Sequence, residues 1–198
     1  MLKHQRQFWD MPNRIVLLIG GYGSGKTYIG ALKSLYMSYL NSPVPGMYIS
    51  PSHQLATKTI IVTLKELCER AEIDYTYNQQ RSEFTFHNWG GTIWLGSGDK
   101  PDSLRGPNIG WAVIDEPFIQ KREVFEQMIA RVRHPEAKKS QIFLTGTPEQ
   151  LNWGFTLAND PKLDLGTIQA STLDNPHLPD DYKESLLQAY SEEQIDAY

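Results

Sequence analysis

A single cysteine, Cys68, stands among 198 residues, so the chain can form neither an internal disulfide nor a cysteine-based metal site. Cys68 falls in a helical pattern with Leu64, Leu67 and Ala71 on the same face, where the expected role is that of a small buried thiol. The five histidines are scattered without ligand spacing, and none is assigned to a metal. No apolar run approaches the roughly 18 to 20 residues that a membrane span needs. The opening Met1-Leu-Lys-His-Gln-Arg-Gln7 holds no apolar signal-peptide core, so a cytosolic setting without a membrane partner is expected. Excess positive charge is also missing: 19 Lys and Arg face 23 Asp and Glu, a net charge of −4. That balance excludes a protein that coats nucleic acid with its whole surface. It leaves open a local basic patch, or DNA held by another domain or by a ring of subunits. Internal repeats and low-complexity tracts are lacking. With 40% apolar and 21% charged residues, what remains is ordinary for a globular protein long enough for one full domain.

The apolar pattern organises that domain. Arg14-Ile-Val-Leu-Leu-Ile-Gly20 is a continuous apolar run, the mark of a strand buried on both faces of a parallel sheet. A glycine-rich loop follows, then a helical stretch over residues 25–40 that the break Asn41-Ser-Pro-Val-Pro-Gly46 ends. Met47-Tyr-Ile-Ser50 reads as a short strand, residues 52–71 as a helix. In 74–98, Tyr75, Tyr77, Phe84, Phe86, Ile93 and Leu95 alternate with polar residues, predicting antiparallel strands joined by turns near 78–82 and 88–91. Trp111-Ala-Val-Ile-Asp115 and Gln141-Ile-Phe-Leu-Thr145 are further buried strands, and residues 165–171 one more. Between them, residues 122–133 form an amphipathic helix with Val124, Phe125, Met128, Ile129 and Val132 inward. Strands alternating with helices predict an α/β fold with a mainly parallel sheet. Ser191-Glu-Glu-Gln194 should open a helix by its capping-box pattern, yet barely a turn follows, so the chain reads as a domain of a longer protein: residues 1–172 the domain, 173–198 a helical linker.

Gly20-Gly21-Tyr22-Gly23-Ser24-Gly25-Lys26-Thr27 fits the phosphate-loop pattern and sits between a buried strand and a helix, as the mechanism requires. The glycines let successive N–H groups turn toward phosphate oxygens, and the helix N-terminus adds its positive dipole end. Lys26 is expected to reach the β- and γ-phosphates of ATP, and the Thr27 hydroxyl to ligate Mg²⁺. Asp115-Glu116 follows the buried run that starts at Ile109. Asp115 would hold Mg²⁺ directly or through a water, while Glu116 would polarise the attacking water. A carboxylate beside the metal acid separates water-activating ATPases from phosphate-transferring kinases. Thr145-Gly146-Thr147 ends the next strand, and its hydroxyls would sense the γ-phosphate or else belong to an ordinary turn.

In this combination and order the residues resemble the ATPase domain of a phage terminase large subunit, the motor that packs double-stranded DNA into procapsids. Gln5-Arg-Gln-Phe8 is similar to the family's adenine-contacting motif, with Gln5 as the contact, and Thr145-Gly-Thr147 to its coupling motif. Asp174-Asn-Pro-His-Leu-Pro179 is similar to the segment leading into its linker and nuclease domain. The resemblance implies a RecA-like fold, a ring of subunits (a pentamer), portal and small-terminase partners, and action at the procapsid in the host cytoplasm. It also implies an arginine finger acting on a neighbour's nucleotide. Many members carry an arginine where Tyr22 stands, so another must supply that charge. Arg105, in Ser103-Leu-Arg105-Gly106, precedes the acidic strand by too far for its side chain to cross roughly 20 Å of strand to the nucleotide, and reaches a neighbour more naturally. The alternatives are an ion pair with Asp99 or Asp102, or Arg81, Arg131 or Arg133 as the finger. Lys138 and Lys139 read as a solvated loop rather than a DNA contact. No acid constellation suits a two-metal nuclease, so no nuclease activity is expected of this chain. A helicase-like motor, a small P-loop kinase and a slowly hydrolysing nucleotide switch are the rival readings.

Overall fold

The computed structural model describes residues 1–147, 153–158 and 160–189; the expected helix after Ser191 lies outside them. In chain order come α1 (Lys3–Asp10), β1 (Ile15–Gly20), α2 (Lys26–Asn41), β2 (Gly46–Ser50), α3 (His53–Lys58) and α4 (Ile60–Arg70). A meander of β3 (Tyr75–Asn78), β4 (Glu83–Phe86) and β5 (Gly91–Ser97) follows. The chain continues through β6 (Trp111–Asp115), α5 (Arg122–Arg131), β7 (Ile142–Gly146), α6 (Trp153–Ala158), β8 (Leu165–Ala170) and α7 (Asp180–Ala189).

The strands form one sheet in the order β3-β4-β5-β2-β6-β7-β1-β8. From β5 to β8 every neighbouring pair is parallel; β3, β4 and β5 pair antiparallel. The expected antiparallel segment is therefore present, but its last strand has two roles, pairing antiparallel with β4 and parallel with β2.

The continuous apolar runs arise because both faces of the sheet are covered. On β1, Val16 and Leu18 face one core together with Trp111 and Val113 of β6, Phe143 of β7 and Tyr48 of β2. Ile15 and Leu17 face the other core, with Ala112, Ile114, Ile142 and Leu144. Helices α1, α2 and α4 close the first side with Phe8, Ile29 and Leu64; α5 and α6 close the second with Phe125, Met128 and Leu157.

Four expectations change. The helix over 52–71 is two helices, broken at Thr59 (φ −121°, ψ −87°). There the Thr59 hydroxyl donates to the Leu55 carbonyl at 2.9 Å, a local bond that competes with regular helix. Ala71 is exposed past the end of α4. In α5, Val124, Phe125 and Met128 are buried, whereas Ile129, one step further round, is 41% exposed. Val132 is buried but lies beyond the helix, where it bridges Ile109 beside the start of β6.

Candidate nucleotide site

β7 lies between β1 and β6, so three parallel strands present their C-terminal ends side by side. β1 ends in the glycine loop, β7 in Thr145-Gly146, and β6 in Asp115, which lies opposite Thr145 in the register. Parallel pairing brings residues 20–27, 115–116 and 145–147 to one sheet edge.

The loop turns through two left-handed glycines, Gly23 (φ +74°) and Gly25 (φ +83°), the latter capping α2. Lys26 is buried, and its ammonium donates to the Gly21 carbonyl at 2.9 Å, an acceptor shared with the Ser24 hydroxyl at 2.8 Å. Four successive loop carbonyls are held from outside. Thr172 Oγ1 donates to the Tyr22 carbonyl at 2.7 Å and Asn175 Nδ2 to that of Gly23 at 2.6 Å. His4 Nε2 donates to the Ser24 carbonyl at 2.8 Å, which requires its proton on that nitrogen, and Gln5 Nε2 to the Gly25 carbonyl at 3.2 Å. The Gln5 amide oxygen accepts from Leu2 N at 2.9 Å. The family resemblance implied Gln5 as a base contact; its amide lies against the loop. Beside it a polar cavity of about 260 Å³ is lined by Lys3, His4, Gln7, Gln169 and Asp174.

Helix α1, which carries Gln5, is tied to α2 by Lys33. Its ammonium donates to the Phe8 and Trp9 carbonyls at 2.9 and 2.6 Å and lies 4.6 Å from the centroid of the Phe143 ring. Burial, aided by Lys139, lowers its pKa to about 7.

Asp115 is 3% exposed and accepts from the Thr145 hydroxyl at 2.9 Å. Burial foremost, then the Glu116 charge, raises its pKa to about 6, against the opposing pull of Thr145, Tyr48 and Lys26. The Tyr48 hydroxyl lies close enough to favour the Asp115 carboxylate, yet closes no hydrogen bond of good geometry. Glu116 occupies the left-handed region (φ +46°, ψ +57°), unusual for a residue with a side chain. That turn aims its carboxylate at the end of β7, where it accepts from Thr147 N at 2.9 Å and Thr147 Oγ1 at 3.2 Å. Its own N–H donates to the Thr145 carbonyl at 2.7 Å.

Arg105 stands apart. It follows a short 3₁₀ turn, Pro101–Leu104, and its guanidinium pairs with Asp102 at 3.0 Å, with 64% of the side chain exposed. Arg131 and Arg133 flank Ile109 beside the start of β6, at the opposite edge of the sheet from the glycine loop. Arg81 sits in the turn between β3 and β4.

Mg²⁺ suits the donors present: it takes oxygen ligands, usually one or two from the protein with the rest from phosphate and water. Thr27 lies in the first turn of α2 and Asp115 ends β6; both side chains offer oxygen. Among the described residues no group of three or more His, Cys, Asp or Glu is arranged to hold a metal by itself, and no helix is long and apolar enough to cross a membrane.

Sheet order and loop define a RecA-like fold of the phosphate-loop class. Residues 17–198 match the family described as terminase large subunit, T4likevirus-type, N-terminal. The chain belongs to that family. It is 30% identical over 141 residues to the PBSX phage terminase large subunit of Bacillus subtilis (strain 168), covering 70% of this chain and 32% of that protein. Its fold is similar to that of the large terminase from a thermophilic bacteriophage in complex with ATP-gamma-S, with a TM-score of 0.80, 15% identity, and 96% and 49% of the two chains covered. It is also similar to the large terminase ATPase domain of Thermus phage P74-26, with a TM-score of 0.71, 16% identity, and 98% and 90% covered. The chain thus spans about a third of the length of the Bacillus relative and half of the thermophilic bacteriophage's large terminase.

Proposed function

We propose that this chain is the Mg²⁺-dependent ATPase domain of a motor that drives double-stranded viral DNA into a procapsid. One observation carries the reading: Lys26, Asp115 and Glu116 lie at one sheet edge, and a loop with its carbonyls turned outward sits beside them. The loop N–H groups and Lys26 bind the β- and γ-phosphates. Thr27 and Asp115 hold Mg²⁺, which when bound neutralises charge developing on the phosphate oxygens. The base lies in the cavity beside α1. The Gln5 amide can meet it without releasing the loop, because its nitrogen has a second donor and its oxygen a second lone pair.

Glu116 accepts a proton from the attacking water as the new P–O bond forms and the bond to the β–γ bridging oxygen breaks. In the described geometry that carboxylate is engaged by Thr147, so the end of β7 controls how strongly Glu116 can polarise water. This is the role proposed for Thr145, Gly146 and Thr147 in coupling. Arg105 completes the site of a neighbouring subunit: its partner Asp102 is exposed, and an exposed pair is worth under about 1 kcal/mol, so little opposes its redirection. Portal, small subunit and a ring of subunits, a pentamer by family likeness, are the proposed partners.

The test is ATP turnover per subunit across a wide range of protein concentration, for the chain and for Glu116→Gln and Arg105→Ala. The ring motor requires specific activity that rises with concentration, ATP binding without turnover in Glu116→Gln, and loss of the rise in Arg105→Ala. Flat activity with a silent Arg105→Ala would replace it by a self-contained ATPase.

A further inference from the structure

We propose that residues 171–179 form a strap that holds the phosphate loop in its anion-binding shape, and that Thr172 and Asn175 are positioning residues through which the chain leaving β8 senses the nucleotide. The inference rests on the phosphate-site reading above. In a trans peptide the carbonyl of one residue and the N–H of the next point in opposite directions. The carbonyls of residues 22 to 25 are held outward in succession by Thr172, Asn175, His4 and Gln5. Each anchor therefore favours one N–H, from Gly23 to Lys26, turned away from itself; that of Ser24 meets the Gly21 carbonyl at 3.3 Å, and the Gly25 carbonyl is shared between Gln5 and Ile29 N of α2.

The two halves of this outer cradle differ. His4 and Gln5 sit on α1, which Lys33 pins to α2. Thr172 and Asn175 sit on a segment without regular strand or long helix, stiffened only locally by Ser171 and Asp174, whose side chains each accept from the other's end of a short 3₁₀ turn. Leu178 packs over Gly23, where an added Cβ would lie 3.1 Å from its methyl groups. Asp174 of the same segment forms one wall of the cavity beside α1. The strap thus touches both the phosphate-binding backbone and the neighbouring cavity, and it leads directly into α7. Because linkage is reciprocal, a nucleotide that favours the outward carbonyls tightens the strap, and a loosened strap weakens the nucleotide.

The experiment compares the chain with Thr172→Val, Asn175→Ala, the double variant, Thr172→Ser and Lys26→Ala. Calorimetry gives the Kd for ADP and ATP-γ-S, hydrogen exchange the protection of residues 171–179 with and without ADP, and thermal melting the fold without nucleotide. Each lost anchor is expected to weaken ADP about 3- to 10-fold, in line with an ordinary hydrogen bond, with Thr172→Ser restoring wild-type binding. ADP is expected to slow exchange in the strap of the wild type and to lose that effect in the double variant. If the double variant binds ADP within twofold of wild type while Lys26→Ala loses it, the phosphate site stands and the strap is overturned. Weakening that merely follows a lowered melting temperature, without rescue by serine, also overturns it. If Lys26→Ala binds as wild type, both readings fall.

Discussion

Asp115 carries the largest conflict between folding and function. Its carboxyl is buried with a pKa raised to about 6, chiefly by desolvation. The folded protein therefore keeps this proton over the interval from the ordinary carboxylate value of 3.8 to about 6, where the unfolded chain has lost it. Stability of the nucleotide-free protein should fall as pH rises through that interval and stay lower above it. Asp115→Asn should flatten the fall and raise stability at pH 7 by on the order of 2 kcal/mol, while abolishing Mg²⁺-dependent turnover. Urea midpoints at pH 5 and 7 check the first part; a variant less stable than wild type at pH 7 would show that its neighbours stabilise the ionised carboxylate. Lys33 has the opposite slope. Its pKa is lowered to about 7 by burial, so from about 7 to 10.5 the unfolded chain holds the extra proton and stability should rise with pH. Lys33→Met should abolish that rise, whatever it does to absolute stability through the two carbonyls left behind. A Lys33→Met protein that keeps the slope would place its origin elsewhere.

At the scale of elements, the contact between β2 and β6 leaves no room for a side chain at Gly46. Gly46 lies opposite Trp111, whose ring would sit 1.9 Å from a Cβ at that position. Trp111 is fully buried, so the ring cannot yield into solvent. Gly46→Ala should cost about 3 kcal/mol as overpacking, read as a lowered urea midpoint with unchanged slope; a shift under about 0.5 kcal/mol would mean that the strands part without cost. This constraint is invisible locally, since Gly46 reads only as the end of a Pro-Gly turn. The strands themselves were legible, because burial on both faces writes a continuous apolar run into each of β1, β6 and β7. Less legible were the break at Thr59, where the hydroxyl turns back to the Leu55 carbonyl, and the exposure of Ile129, which depends on which neighbour the helix meets; the 3.6-residue period is silent on both.

For the whole molecule, the proposal that Arg105, paired with Asp102 at the surface, serves a neighbouring site can be tested by mixing variants. A mixture of Arg105→Ala, which keeps Glu116, with Glu116→Gln, which keeps Arg105, should recover turnover that neither variant shows alone. An arginine acting on transition-state charge is worth roughly 10³ to 10⁵ in rate, so even partial mixing should stand well above background. No recovery at any ratio, with oligomers present in light scattering, would remove Arg105 from the neighbouring site.

By itself the sequence determined the parts whose pattern is local. These are the glycine loop with Lys26 and Thr27, the acids Asp115 and Glu116 at the end of a doubly buried strand, and the α/β alternation. Each is written in contiguous residues, and the roles proposed for them rest on that spacing. Only the tertiary structure decided what meets these parts. It set β7 between β1 and β6, turned the Glu116 carboxylate onto Thr147, pressed Gln5 against Gly25, and brought Thr172 and Asn175 to loop carbonyls some 150 positions earlier in the chain. The physical reason is that a side chain's hydrogen-bond partner is chosen by packing. Asn175 in a turn satisfies any nearby carbonyl, and sheet order, which no local pattern records, decides that the carbonyl belongs to the phosphate loop.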